Sequence, residues 1–192
     1  MKELPPGWVW ATIGEVADIQ LGRQRSPRNH SGPHMRPYLR AANVTWEGID
    51  VTDVKEMNFE PAEAATFELE AGDLLLNEAS GSPKEVGKPA IWRDEIPGCC
   101  FQNTLLRVRP HIMSMEYVYW YCRAMALSGE FGKVGRGVNI RHLGKHGLAS
   151  FPLSGATMWR AASDRRRHRG TLFPPRRGRQ PPLADPNETQ AP

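Results

Sequence analysis

The sequence predicts an α+β domain over residues 1–154, β-rich with a few helices, followed by a disordered Arg/Pro-rich tail over residues 155–192. Three observations predict it. Short runs of aromatic and β-branched residues recur between Gly- and Pro-containing turns, the pattern of strands. One stretch has clear helical spacing. The two kinds of segment do not alternate regularly, which argues against a parallel βαβ sheet.

Taken in order, Trp8-Val9-Trp10-Ala11-Thr12-Ile13 reads as a first strand after the turn Pro5-Pro6-Gly7. Residues 14–22 read as a helical turn and a short strand ending at Gly22. Residues 23–37 form a polar, basic loop with three prolines, too long for a simple connection. Tyr38-Leu39-Arg40-Ala41-Ala42-Asn43-Val44 reads as a strand whose end presents Arg40 and Asn43. Trp46 anchors a turn, and Pro61–Phe67 is a short helix with Pro in its first turn.

Leu74-Leu75-Leu76 is an apolar run bounded by the turn Ala71-Gly72-Asp73 and by Asn77, Glu78, Ser80, Gly81 and Ser82. That suits a buried strand delivering a polar loop. Residues 88–92 and 99–110 read as strands, Arg107 and Arg109 alternating with apolar positions on a sheet face. Met115–Leu127 is the one strong helix, with Ser114 as its cap and a stripe of Met115, Val118, Tyr121, Cys122 and Met125 that suits a core face. Residues 132–147 are Gly-rich, basic and flexible, and residues 148–153 close the domain as a strand.

Composition narrows the function. No apolar run reaches the length of a membrane span, and three cysteines, two of them adjacent, suit a reducing, cytoplasmic setting rather than a disulfide framework. The net charge of +4 divides unevenly: the tail has eight arginines against three acids, the body 17 basic against 18 acidic residues. The body is polarised. Residues 19–46 and 131–154 contain no acid, whereas residues 47–78 hold ten acids and only Lys55. Two basic stretches on a near-neutral body are either solvated loops or converge on a polyanion.

Catalytic patterns are missing: the sequence has no phosphate-binding loop, dinucleotide fingerprint, HExxH or nucleophile elbow. His142 and His146 have i,i+4 spacing, but Gly144 and Gly147 disfavour a helix and no third ligand accompanies them. Asp53-Val54-Lys55, and Asp73 with Glu85, lack the spacing of a Mg²⁺ nuclease site. A binding module without resident catalysis or metal is expected. The tail has six of the 17 prolines, no lysine and no apolar periodicity. It reads either as an arginine-rich nucleic-acid arm or, preferably, as frameshifted text in a GC-rich gene.

Several motifs in series resemble a target-recognition domain of the specificity (S) subunit of type I restriction–modification systems. They are Leu4-Pro5-Pro6-Gly7-Trp8-Val9-Trp10, Ile13-Gly14-Glu15-Val16-Ala17-Asp18-Ile19, the Tyr38 to Val44 stretch, Gly72-Asp73-Leu74-Leu75-Leu76-Asn77-Glu78, Val86-Gly87-Lys88-Pro89-Ala90, Phe101-Gln102-Asn103-Thr104-Leu105-Leu106-Arg107-Val108-Arg109, Asn139-Ile140-Arg141-His142-Leu143 and Phe151-Pro152-Leu153. The resemblance implies a β-rich domain that reads one half of a bipartite double-stranded DNA target. It implies methyltransferase (M) and restriction (R) subunits as partners, with S-adenosylmethionine, ATP and Mg on those subunits and no cofactor on this chain. The chain departs from that family in having one recognition domain and an Arg/Pro-rich segment where a spacer helix follows, so it reads as a truncated S subunit.

On this reading Arg23, Arg25, Arg40, Lys133, Arg136 and Arg141 are the phosphate-contact candidates. Gln24, Asn43, Asn77, Glu78, Ser80 and Asn139 are the base-readout candidates, because amide and carboxylate side chains match base edges. The alternatives are an inactive remnant, a protein-interaction module, or the recognition domain of a single-chain restriction enzyme.

Overall fold

The computed structural model describes residues 3–134 and 140–156. The expected tail therefore lies outside the described residues, apart from its first two positions. These continue the last strand, two residues past the expected boundary.

The architecture is mixed α+β, as the sequence predicts. Its centre is an antiparallel four-stranded sheet in the order β2 (Ala17–Leu21), β9 (Leu105–Pro110), β5 (Leu74–Asn77), β7 (Pro89–Ile91). The chain reaches it through β1 (Trp8–Thr12) and the single turn α1 (Ile13–Val16), which lead into β2 (Ala17–Leu21). The long loop ends earlier than expected, because β3 spans Met35–Leu39 and includes Pro37. Pro37 is accommodated because β3 pairs there with β4 (Lys55–Asn58) alone; the parallel pairing with β8 (Cys100–Phe101) begins at Tyr38. Residues 41–43, expected to extend that strand, form a 3-10 turn instead. The strand β4 has only four residues and two charges, so it carries no strand pattern in the sequence.

The helix α2 (Pro61–Phe67) starts as its proline predicts, with the Glu63 carboxylate accepting from the Glu60 backbone N–H at 3.0 Å. The central strand β5 (Leu74–Asn77) is buried along its whole length. Leu74 and Leu76 face a core built with Ile19, Leu106, Val108, Val118 and Cys122, whereas Leu75 faces a second core with Leu39, Trp92 and Phe101. A strand covered on both faces has no polar side, and this is why three leucines run consecutively.

A short β6 (Ala79–Ser80) follows, then β7 (Pro89–Ile91), β8 and β9 (Leu105–Pro110). Arg107 and Arg109 lie on a sheet face as expected, Arg109 holding the buried Asp73 carboxylate at 2.6 and 2.8 Å. That pairing raises the Arg109 pKa.

The helix α3 (Met115–Leu127) is capped by the Ser114 hydroxyl, which accepts from the Tyr117 backbone N–H at 3.2 Å. It packs Val118, Cys122 and Ala126 into the first core, with Met115, Tyr121 and Met125 partly buried beside them. Of residues 132–147, expected to be flexible, the described ones include parts of α4 (Glu130–Val134) and α5 (Lys145–Ala149) and all of β10 (Arg141–His142), while residues 135–139 lie outside the described residues. The closing strand β11 (Pro152–Ala156) starts later than expected because residues 148 and 149 belong to α5. It pairs antiparallel with β1, so the two ends of the described body are stapled together. The Tyr117 hydroxyl donates to the Ser154 carbonyl at 2.5 Å and fastens α3 to this pair. Among the described residues no helix is long and apolar enough to cross a membrane.

All three cysteines are free and buried. Burial pushes each thiol up to about 12. Since the thiolate is the reactive form, a thiol reagent at pH 8 should label the native protein slowly and all three cysteines together once denaturant is added. Fast labelling of any one in the native state contradicts this packing.

Candidate nucleic-acid interface

The strand directions put the carboxyl ends of β2 and β5 beside the amino end of β9. At that end lies the turn formed by residues 102–104, closed by the Leu105 N–H donating to the Gln102 carbonyl at 2.9 Å. Three separate segments are fastened to it, through backbone groups and the Thr104 hydroxyl. Asn103 N–H donates to the Arg23 carbonyl at 3.0 Å, and Gln102 N–H to the Leu39 carbonyl at 2.9 Å. The Glu78 N–H donates to the Thr104 carbonyl at 2.9 Å, and the Ala41 N–H to the Thr104 hydroxyl at 3.0 Å. Glu78 in turn accepts from the Leu143 N–H at 2.8 Å, and β6 pairs with β10, Ser80 opposite Arg141. Both basic stretches and the polar loop after the leucines therefore meet at one end of the sheet.

This meeting depends on Gly22. A Cβ there would lie 2.2 Å from the Gln102 carbonyl oxygen, with no flexible side chain to move aside.

The individual side chains divide sharply. Arg23 is committed to the protein: its guanidinium pairs with Glu63 at 2.8 Å, donates to the Asn58 carbonyl at 3.0 Å and stacks on Phe59, leaving the side chain 11% exposed. Arg40 pairs with Asp53. Asp53 also holds Lys55, whose hydrogen bond is the chief cause of its lowered pKa. Arg141 donates to the Gly132 carbonyl at 2.9 Å and braces α4 against β10. Arg25 and Lys133 remain exposed; Arg25 donates to His30 at 3.1 Å, and Lys133 pairs with Glu130 at 2.6 Å, a surface contact of small energy. Arg136 lies outside the described residues.

Among the base-readout candidates, Asn43 is 3% exposed. Its amide donates to the Asp50 and Asp53 carbonyls at 2.9 and 3.1 Å and accepts from the Arg40 N–H at 3.0 Å. It therefore caps the turn that replaces the expected strand end, and its polar groups are turned inward. Asn77 is the buried last residue of β5, its Oδ1 without a partner among the described residues. The Glu78 carboxylate is largely covered and meets the His142 ring at 2.9 Å. Ser80 accepts from the Ser82 N–H at 3.1 Å. Gln24 is exposed and uncommitted, and Asn139 lies outside the described residues. His142 and His146 fall on a strand and on a short helix, so they share no helix face.

Sequence reasoning missed the importance of residues 102–104. Their signal was present as a polar Gln-Asn-Thr interruption between two apolar runs. It also missed exposed cations for which no ion pair is found among the described residues: Arg28, Lys84 and Lys145. Trp46, expected as an anchor, is one. It lies between Arg123 and Lys88, at 5.1 and 5.9 Å from its ring, and its indole donates to Glu85 at 3.0 Å.

No protein-family model matches the sequence, and no curated protein does. Solved structures do match. One chain, from a structure on complex assembly and conformational transition of the type I R-M system, is 19% identical with a TM-score of 0.58. The HsdS subunit from Thermoanaerobacter tengcongensis is 20% identical with a TM-score of 0.57. Each comparison covers 85% of this chain and 38% of the other, so this chain spans about two fifths of the length of either neighbour. The shared feature is the fold, which is the α+β fold of the HsdS subunit.

The close approach at Gly22 sets a direct expectation. Gly22→Ala should lower stability by about 3 kcal/mol, read as a shift in the urea midpoint, while Gly147→Ala, where the added Cβ meets only Leu143 and Val134 methyl groups at 3.9 Å, should cost less. Equal midpoints would show that the strand end is not pinned to the turn.

Proposed function

We propose that this chain recognises a specific double-stranded DNA sequence, acting as part of the specificity subunit of a type I restriction–modification system. The observation that carries this reading is the convergence of both acid-free basic segments on the turn at residues 102–104, within a fold shared with HsdS over 85% of the chain.

The chemistry divides between two kinds of group. Exposed cations set affinity and register on the phosphates. Arg25, Arg28, Lys84, Lys133 and Lys145 take this role, because the Arg23, Arg40 and Arg141 guanidiniums are held by the protein itself. The reading of bases falls to side chains whose hydrogen-bonding groups face outward, which excludes Asn43. Glu78 acts as a positioning residue, holding His142 beside the β6–β10 pair. No step of this function needs a cofactor on the chain. Methyl transfer from S-adenosylmethionine, and ATP- and Mg-dependent translocation and cleavage, belong to methyltransferase and restriction subunits as partners, in the cytoplasm.

The test is a salt titration of duplex binding. The logarithm of the binding constant should fall linearly with the logarithm of salt concentration, and replacing each exposed cation by Ala should reduce the slope by about 1. Arg23→Ala should chiefly lower stability. Binding that ignores salt, or no binding to any duplex, defeats the proposal.

A further inference from the structure

The residues described contain eight Asn or Gln side chains. Four are hydrogen-bonded within the protein and a fifth is buried. Gln20 donates to the Leu21 carbonyl, and Asn58 bonds the His34 N–H and Glu60. Asn43 caps its turn, Asn77 is buried, and Asn29 faces Arg23 with its amide oxygen in the orientation that satisfies both groups. The remaining three, Gln24, Gln102 and Asn103, make no side-chain hydrogen bond, and all three lie where β2 runs into the turn before β9.

The register there separates them. Arg23 is bridged in parallel to Gln102, so these two share one side of the local ladder, the side on which Arg23 meets Glu63 and Phe59. The next residue on each segment, Gln24 and Asn103, lies past the bridge, Asn103 as the first residue inside the turn closed by the Leu105 N–H to Gln102 carbonyl bond. Their backbones are locked together by the Asn103 N–H to Arg23 carbonyl bond of 3.0 Å. Two amides with no hydrogen bond among the described residues thus sit on neighbouring, backbone-locked positions, with Arg25 next in the chain.

We propose that Gln24 and Asn103 are specificity-determining residues that read adenine at two adjacent A·T pairs in the major groove. This rests on the DNA-recognition reading above. An amide offers one donor and one acceptor in the fork that matches adenine N6 and N7. Neighbouring chain segments lie about 4.8 Å apart and successive bases on one strand ~3.4 Å apart, a difference within the reach of two flexible amide side chains, so each amide addresses its own base pair.

The experiment is selection by the full chain from a library of randomised duplexes, followed by sequencing. Wild type should enrich sites with two adjacent A·T pairs. The Q24A/N103A variant should lose adenine preference at those pairs by about 10-fold or more while retaining its salt-dependent affinity. The near-isosteric Q24E/N103D, which exchanges a donor for an acceptor, should shift the preference toward cytosine. If Q24A/N103A does not fold, Q24A alone, altering one exposed side chain, should lose preference at one pair. Enriched sites without adjacent A·T pairs, or an unchanged preference in the folded variants, overturn this inference and leave DNA recognition standing. A wild-type chain that binds no duplex overturns DNA recognition, and the inference with it.

Discussion

The backbone of residues 102–104 holds the candidate recognition end together. With the Thr104 hydroxyl, it accepts from or donates to Arg23, Leu39, Ala41 and Glu78, which come from three separate parts of the chain. Such bonds run between backbone groups and a single threonine hydroxyl, so they fix positions without using the side chains that would meet a ligand. Gly22 makes the arrangement possible by admitting the Gln102 carbonyl where a Cβ would stand. A buried backbone group left unpaired is costly. The turn and its partners therefore form as a set.

Behind this end, β5 supplies rigidity. Its leucines enter cores on both faces of the sheet, so the strand cannot slip without exposing one of them. Asp73 and Arg109 secure the far end of the same strand. At the near end Asn77 and Glu78 are drawn inward rather than displayed. Glu78 thus anchors β10 while the Asn77 backbone holds residues 87 and 88, and exposed groups on neighbouring loops are left to meet a partner. Around the edge, Trp46 between Arg123 and Lys88 joins the 44–49 hairpin and the segment before β7 to α3.

Much of this was legible in the sequence where the signal is local. The cap at Ser114, the proline opening α2, the unbroken leucines of β5 and the alternation of Arg107 and Arg109 each follow from nearby residues. What escaped is set by long-range pairing. β4, β6, β8 and β10 have two to four residues each, too short for a periodicity, and exist because a partner strand lies beside them. The candidate side chains escaped for the same reason. Arg23 and Gln24 are adjacent and equally polar in the sequence, yet Glu63, forty residues away, claims Arg23 and leaves Gln24 free. Nothing local distinguishes Asn43, turned inward by Asp50 and Asp53, from Asn103.

The central claim is that distant segments form one DNA-facing end around this turn. Hydrogen exchange of the full chain with and without duplex DNA tests it most directly. The account predicts that slowed exchange on DNA binding appears together at residues 22–30, 80–85, 102–104 and 140–146, with the opposite end of the sheet, around Asp73 and His111, unchanged. Slowing confined to that opposite end, or to only one of the four segments, would contradict it.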